Sequence, residues 1–245
     1  MQQLKINKNI PASASYDWFK LAFITFREMP LQFIALTFGQ IVTMVICSYL
    51  RIGGLVSPMF IAGFADLASQ VDTQKRNGVI NTFKKLLLNK NLILLMLINL
   101  FCSLLSLVLL LVDLGNSASL AQKIFISVVL IVFMVTVNMA MWISPVICAF
   151  NNIGPLAAMR LSLKVGLYNL LTWFLYAVLL SAIVVVLGIG VMALISQMIK
   201  IGYGFEFGLL ILGCVILSIL SLIFYSIVNI ASYHIYKDAF LIEHV

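Results

Sequence analysis

The stretch Leu55-Val-Ser-Pro-Met-Phe-Ile-Ala-Gly-Phe-Ala-Asp-Leu-Ala68 decides the fold. It is apolar yet short, and it carries Pro58 and Asp66. If it crosses a bilayer the chain has six spans; if it only dips in, the chain has five. The other spans are plainer, because a crossing helix needs roughly 20 mostly apolar residues. Leu31–Leu50, closed by Arg51, comes first. Leu92–Val112, Ile124–Phe150 (broken near its end by Pro145), Leu170–Ile195 and Phe207–Tyr233 follow.

Loop charge selects six. With six crossings, one side collects Lys5, Lys8, Lys20 and Arg27, then Lys75, Arg76, Lys84, Lys85 and Lys90, then Arg160, Lys164 and Lys237. The other side holds Arg51, Lys123 and Lys200. Lysine and arginine concentrate in cytoplasmic loops, so both termini are expected in the cytoplasm. With five spans the two most basic segments would fall on opposite sides. The N-terminal segment places aromatic and charged side chains ahead of any long apolar run and shows no small-x-small site. Leu31–Leu50 is therefore expected to stay as the first anchor.

Composition agrees with that reading. Of 245 residues, 63% are apolar and 9% charged, against ~45–50% and about 25% in soluble domains. So few charges cannot clothe a soluble surface, and residues 1–245 read as a single polytopic membrane domain. The net charge of +7 suits loops beside anionic headgroups, where each cation contributes about 1 kcal/mol. No basic run interleaves with aromatics, so no nucleic-acid partner is expected. Cys47, Cys102, Cys148 and Cys214 sit far apart in apolar stretches and lack metal-ligand spacing. Neither a metal nor a cofactor is expected.

Three basic segments share a shape. Ser13 and Ser15 can cap a helix with Asp17 in its first turn. From Tyr16 to Met29, the residues Trp18, Phe19, Ala22, Phe23 and Phe26 share an apolar face, Lys20, Arg27 and Glu28 turn away, and Pro30 ends the helix. In Val79–Asn89 the stripe is Val79, Ile80, Phe83 and Leu87, with Lys84 and Lys85 opposite. A third helix starts at Pro155, a favourable first-turn residue, with Leu156, Met159, Leu163, Gly166 and Leu167 as its stripe and Arg160 and Lys164 on one polar edge. Such helices lie in the interface, their cations toward headgroups. Each is followed by a helix-ending residue (Pro30, Asn91, Asn169) and then a span. The expected fold is therefore an all-α integral membrane protein with six transmembrane helices and three short cytoplasmic interfacial helices, arranged as three repeats of an interfacial helix followed by a hairpin.

Polar residues inside the spans are the candidates for function. A carboxylate in hydrocarbon is a functional candidate by default. Asp66, however, lies six residues before Asp72, about 9 Å along a helix, and is expected near the headgroups beside a Lys or Arg. Asn99, Asn138 and Asn229 suit helix registration or a polar path. Pro58 and Pro145, each preceded by serine (Ser57, Ser144), are expected to kink their helices, the hydroxyl partly satisfying the freed carbonyl. Gly188, Gly190, Gly204 and Gly208 read as small-residue contacts or turns, and His234 and His244 as interfacial. Asp113 and Glu206 read as loop acids. No HExxH, GxSxG or paired intramembrane carboxylates occur, so no catalytic residue is expected.

Two stretches carry a resemblance. Leu55 to Phe64, followed by the Phe83-Lys-Lys region, resembles the second-helix signature of the BPSS-type family of bacterial six-helix inner-membrane proteins. Ile143-Ser-Pro-Val-Ile-Cys-Ala-Phe150, with Gly154-Pro-Leu-Ala-Ala-Met-Arg-Leu-Ser162 and Asn169, resembles its second signature, although Ala157 stands where that pattern commonly has an acid. The layout is similar to YciC-like proteins and to the membrane domain of some glycerophosphodiester phosphodiesterases. The resemblance implies architecture and a bacterial inner membrane rather than chemistry, and marks Pro58, Gly63, Pro145, Pro155, Arg160, Ser162 and Asn169.

Three functions compete. Basic interfacial helices (Lys20, Arg27, Lys84, Lys85, Arg160, Lys164) and kinked spans point to non-catalytic handling of lipids or amphiphiles, or support of a transporter, with membrane lipids as partners. A scaffold that binds another membrane protein, a peripheral protein or a second copy is the alternative. A membrane-embedded enzyme using Asp66, or Arg160 and Tyr168, lacks an acid–base pair.

Overall fold

The computed structural model describes residues 4–49, 55–75, 78–115, 120–200 and 205–241. Arg51, Arg76, Gly204 and His244 lie outside these, as do the side chains of Asp113, Lys123, Lys200 and Glu206 and any contact of Gly208. The described chain is all-α apart from one strand pair. A short helix precedes each pair of long ones. The helix α1 (Ala14–Glu28) leads into α2 (Pro30–Tyr49) and α3 (Ser57–Asp72). Next, α4 (Gly78–Leu87) leads into α5 (Lys90–Gly115) and α6 (Leu120–Met141), the latter continued after a break by α7 (Ser144–Asn151). Last, α8 (Pro155–Tyr168) leads into α9 (Leu170–Lys200) and α10 (Phe205–Ala239). Among the described residues, five segments are long and apolar enough to cross a membrane: Pro30–Tyr49, Lys90–Val108, Ile124–Asn151, Leu170–Ala193 and Ile211–Ala239. The protein is a multi-pass membrane protein. With 16 residues, α3 falls short of that length.

The short strands β1 (Lys5–Ile6) and β2 (Phe240–Leu241) pair antiparallel. Asn7 N–H extends the ladder to the Ala239 carbonyl at 2.9 Å, and Trp18 Nε1 donates to Asp238 Oδ2 at 2.7 Å. Asn169, at the C-terminal end of α8, accepts from Ile10 N–H at 3.0 Å and donates to the Asn7 carbonyl at 3.0 Å. The N-terminal segment is thereby fastened to the end of α10 and the α8–α9 junction.

The core gathers at this end of the molecule. The inner helix is α3, which packs against α1, α2, α4, α5, α7 and α10. Its run Ala62–Ala68 is buried, and small residues there let neighbours approach; the Cβ position of Gly63 already lies 3.6 Å from Leu36. By contrast the far halves of α5, α6, α9 and α10 expose Phe101, Phe125, Val186, Met192 and Leu212. Large apolar side chains face outward because lipid tails solvate them as well as a protein core does, while small and polar residues mark the packed faces.

The stripes expected in the acyl boundary are exposed in part, and the caps and prolines depart from expectation. On α4 the buried residues are Thr82 and Leu86, whereas Ile80 and Leu87 are exposed. On α8 the buried face is Pro155, Ala158, Ser162, Val165 and Gly166, and Leu156 and Leu167 point outward. On α1, Phe23 of the expected acyl-facing stripe is exposed, whereas Trp18, Ala22 and Phe26 are buried inside the protein. Neither serine caps α1: Ser13 makes no side-chain cap, and Ser15 Oγ donates to the Ala12 carbonyl at 2.8 Å. Pro58 and Pro145 do not kink helices from within. They stand in the first turns of α3 and α7, where proline's missing N–H has no helical partner to lose. His234 is buried inside the protein, with Nε2 3.0 Å from Thr25 Oγ1. Gly190 meets Leu217 across the α9–α10 contact, while Gly188 faces open space.

Candidate functional site

The break between α6 and α7 falls at Trp142–Ile143, ahead of Pro145. An uninterrupted helix would bond Ile143 N–H to the Met139 carbonyl. Ser162 of α8 instead inserts its hydroxyl between them, donating to Met139 O at 2.7 Å and accepting from Ile143 N–H at 3.3 Å. A side chain entering the helical ladder is a recognised cause of a sharp bend. Gly166, one turn along α8, makes room: a Cβ there would lie 2.6 Å from Met139 Cε. Ser144 Oγ does not reach a freed carbonyl and sits 3.9 Å from Met141 Sδ.

The bend turns Trp142 into a central cavity of about 770 Å³ bordered by α2, α3, α5, α6, α9 and α10. Asn99, Asn138 and Asn229 all line it, so the three intramembrane asparagines are brought to one place. Asn138 Nδ2 donates to the Met134 carbonyl and Asn229 Nδ2 to the Tyr225 carbonyl, both at 2.8 Å. Ser48, Ser57 and Ser232 add hydroxyls, and Pro58 lines the wall at the start of α3. Trp142, Trp173 and Tyr176 form an aromatic wall, with Trp142 5.9 Å from Trp173 and 5.3 Å from Tyr176 between ring centroids. Among the described residues, no acidic, basic or histidine side chain lines the cavity.

A second, apolar groove of about 1090 Å³ runs between α2, α9 and α10. Met44 and Ser48 line both spaces, so the groove adjoins the cavity at α2.

Asp66 lies elsewhere, in a small polar crevice of about 180 Å³ between α3 and α4. It is only 5% exposed and pairs with Lys85 Nζ at 2.7 Å. Gln70 Nε2 and Thr82 Oγ1 donate to its other oxygen at 2.8 and 2.9 Å. The pairing with a nearby lysine follows the sequence expectation, but the carboxylate is buried. At the end of α3, beyond the apolar stretch, Asp72 accepts from Lys237 Nζ at 2.7 Å and Tyr233 OH at 2.9 Å. Burial alone would push the Asp72 carboxyl up; the Lys237 and Tyr233 hydrogen bonds and the Lys237 charge outweigh it and hold it below its ordinary value.

Lys20, Arg27, Lys84, Arg160 and Lys164 are exposed on α1, α4 and α8. The marked positions Gly63, Pro155, Ser162 and Asn169 serve packing, helix starts and the ties described above. Reasoning from sequence missed the aromatic wall and a ladder of bonds joining α1 and α2 to α10. Thr25 meets His234, Thr37 meets Ser226, and Gln40 Nε2 donates to Tyr225 OH. The signal was present: Thr37 and Gln40 are polar residues one turn apart in an apolar span. Among the described residues no cluster of His, Cys, Asp and Glu is arranged to hold a metal ion. Comparison with protein-family models, curated proteins and solved structures finds no match.

Proposed function

We propose that this protein is a non-catalytic component of a bacterial cytoplasmic membrane that takes an amphiphile from the bilayer into the space between its helices, for lipid handling or in support of transport. The observation that carries the reading is the junction at Met44 and Ser48, where a tail-sized apolar groove meets a polar-lined cavity. Ligand sites are typically cavities of about 300–1,000 Å³, mostly apolar with a few placed polar groups.

The reading includes six crossings with both described ends in the cytoplasm. Pairing of β1 with β2 supports an even number, since it holds the start of the described chain beside the end of α10. On that count α3 is the sixth crossing; enclosed by six other helices, it need not match the bilayer thickness as a lipid-facing helix must. The sequence of a short helix before each hairpin supports three repeats. The basic faces of α1, α4 and α8 hold anionic headgroups at the cytoplasmic rim.

The test is lipid retention. Wild-type protein purified in mild detergent retains lipid on native mass spectrometry, and Met44→Trp, which fills the junction, retains at least fivefold less while keeping its elution volume. Equal retention by the two proteins refutes the reading. Reporter fusions at both ends read as cytoplasmic; a periplasmic signal from either refutes the six-span topology.

A further inference from the structure

Resting on the part of that reading which sets α4 among the headgroups, we infer that the crevice between α3 and α4 binds the phosphate of an anionic phospholipid, phosphatidylglycerol in the first instance, between Lys75 and Lys85. Lys85, Gln70 and Thr82 give the Asp66 carboxylate three donors, at 2.7, 2.8 and 2.9 Å. A carboxylate so engaged has little left for a metal or an ammonium guest; its effect is to hold the Lys85 ammonium in place. An ammonium carries three N–H donors. One goes to Asp66, and with 62% of its side chain exposed Lys85 keeps the others for a guest. The exposed Lys75 lines the same space of about 180 Å³. Two cations against one carboxylate leave the crevice positive. Among the described residues Asp66 is the one acid that lines it, and the next residues in the sequence after Lys75, Arg76 and Asn77, are not acidic. Asp72 is engaged by Lys237 and Tyr233 of α10 and does not line the crevice. Lysines placed in this way serve a phosphate as point charges.

Two hydroxyls narrow the head. Ser69 Oγ donates to the Asp66 carbonyl at 2.7 Å and Thr73 Oγ1 to the Ser69 carbonyl at 2.9 Å. Each commits its proton to its own helix and keeps its oxygen as an acceptor, and both line the crevice. A phosphate takes the lysine N–H groups, while a glycerol head brings O–H donors to these two oxygens. The exposed side of α4 argues for a lipid over a dissolved phosphate. Ile80 and Leu87 are exposed on the helix that supplies Asn81 and Lys85 to the crevice, and Ile80 lies about 100° around that helix from Asn81. Exposed apolar side chains beside a cationic pocket suit a molecule with tails and a charged head.

The experiment reads lysine reactivity. Full-length protein in phosphatidylcholine nanodiscs is treated with an amine-acetylating reagent, and modification is mapped by mass spectrometry before and after part of that lipid is replaced by phosphatidylglycerol. Lys84 is the internal reference, since it is exposed on α4 and does not line the crevice. General attraction to an anionic surface acts on Lys84 and Lys75 alike. Phosphatidylglycerol is expected to lower the reactivity of Lys75 relative to Lys84 at least fivefold, and in Lys85→Met that protection is lost. The wild-type footprint decides the matter should the variant fail to fold. Equal protection of Lys75 and Lys84 overturns the inference and leaves α4 among the headgroups; a change at neither lysine overturns the inference together with that part of the reading. Inorganic phosphate added to phosphatidylcholine discs is expected to protect Lys75 little, and protection equal to that by phosphatidylglycerol assigns the crevice to a dissolved anion and overturns the lipid. The groove is tested separately, by lipid retention in Met44→Trp.

Discussion

Replacing Ser162 with alanine removes one hydroxyl and strands two backbone groups. Met139 O and Ile143 N–H are the two halves of a helical hydrogen bond, and in the native fold each is satisfied by Ser162 Oγ. Ser162 and Ile143 are 2% and 1% exposed, so water does not readily replace the lost partner. An interhelical hydrogen bond in a membrane protein averages only ~0.6 kcal/mol, and two would give about 1.2 kcal/mol. Leaving a buried backbone group unpaired costs ~1–3 kcal/mol, so two orphans cost at least about 2 kcal/mol. The alternative relaxation, in which Ile143 bonds Met139 directly, straightens the helix and pulls α7 from its contacts with α3 and α8. Both routes predict a loss of about 2–4 kcal/mol, or roughly thirtyfold or more in the unfolding constant.

Tryptophan fluorescence suits the measurement. The chain has 3 tryptophans, and they form one chain of ring contacts, with Trp18 6.4 Å and Trp173 5.9 Å from Trp142. Denaturation in mixed micelles therefore reports on the bend itself. Ser103→Ala is the control, because Ser103 Oγ donates to the Asn99 carbonyl of its own helix and joins no second element. The reasoning is refuted if Ser162→Ala and Ser103→Ala unfold at the same midpoint, or if the former leaves the native emission spectrum unchanged.

Three further outcomes follow from the polar contacts. Lys85→Met leaves the buried Asp66 carboxylate with two neutral donors and should cost about 2 kcal/mol, below the ~3–5 kcal/mol of a fully buried pair because Lys85 is 62% exposed. Adding Asp66→Asn should recover part of that loss in chemical denaturation, and strict additivity of the two changes would refute the coupling. The depressed Asp72 carboxyl contributes stability that is present above its unfolded-state value and is lost as pH falls through its lower folded-state value. Thermal midpoints should therefore drop on acidification below the ordinary carboxylate range, and by less in Asp72→Asn; parallel curves would count against it. Trp18→Phe removes the donor to Asp238 while keeping the buried ring, and should raise amide exchange in residues 5–7 and 239–241 without moving the exchange of α5.

Helix ends were legible in the sequence because their signals are local. Pro30 separates α1 from α2, Pro155 opens α8, and Asn169 closes it, each through backbone geometry that does not depend on distant neighbours. Helix faces were not legible, because hydrophobicity stops marking the interior once the solvent is hydrocarbon. Leu156 and Leu167 read as the acyl-facing side of α8 and are exposed, but nothing local marked Ala158 and Ser162, with Gly166, as the face buried inside the protein. Asp66 was placed beside a lysine on sequence proximity to the polar end of α3, but its seclusion depends on α4 folding across it, with Thr82 and Lys85 arriving from 16 and 19 residues away. The three asparagines stood out one by one; their meeting in a single cavity depends on how six helices pack, which no local spacing encodes.

The distribution of polar contacts explains why a guest would enter where the groove lies. From the strand pair to mid-height, α10 is joined to α1 and α2 by Trp18–Asp238, Thr25–His234, Thr37–Ser226 and Gln40–Tyr225. Past Gln40, the α2 side chains facing α10 become Ile41, Met44, Val45 and Ser48, and the contact widens into the groove. Directional bonds hold the two helices at a fixed separation on one side of that point. Beyond it the described contact between them is a weak Tyr225 OH to Met44 Sδ bond at 4.0 Å and otherwise dispersion, which lipid tails supply equally well. A tail inserted there displaces little that the protein itself provides, whereas entry nearer the strand pair would have to break paired polar groups in a medium that offers them no other partner. The ladder and the groove are thus two parts of one arrangement: the bonded end fixes where α2 and α10 diverge, and the divergence sets the path that leads past Met44 toward Asn138 and Asn229.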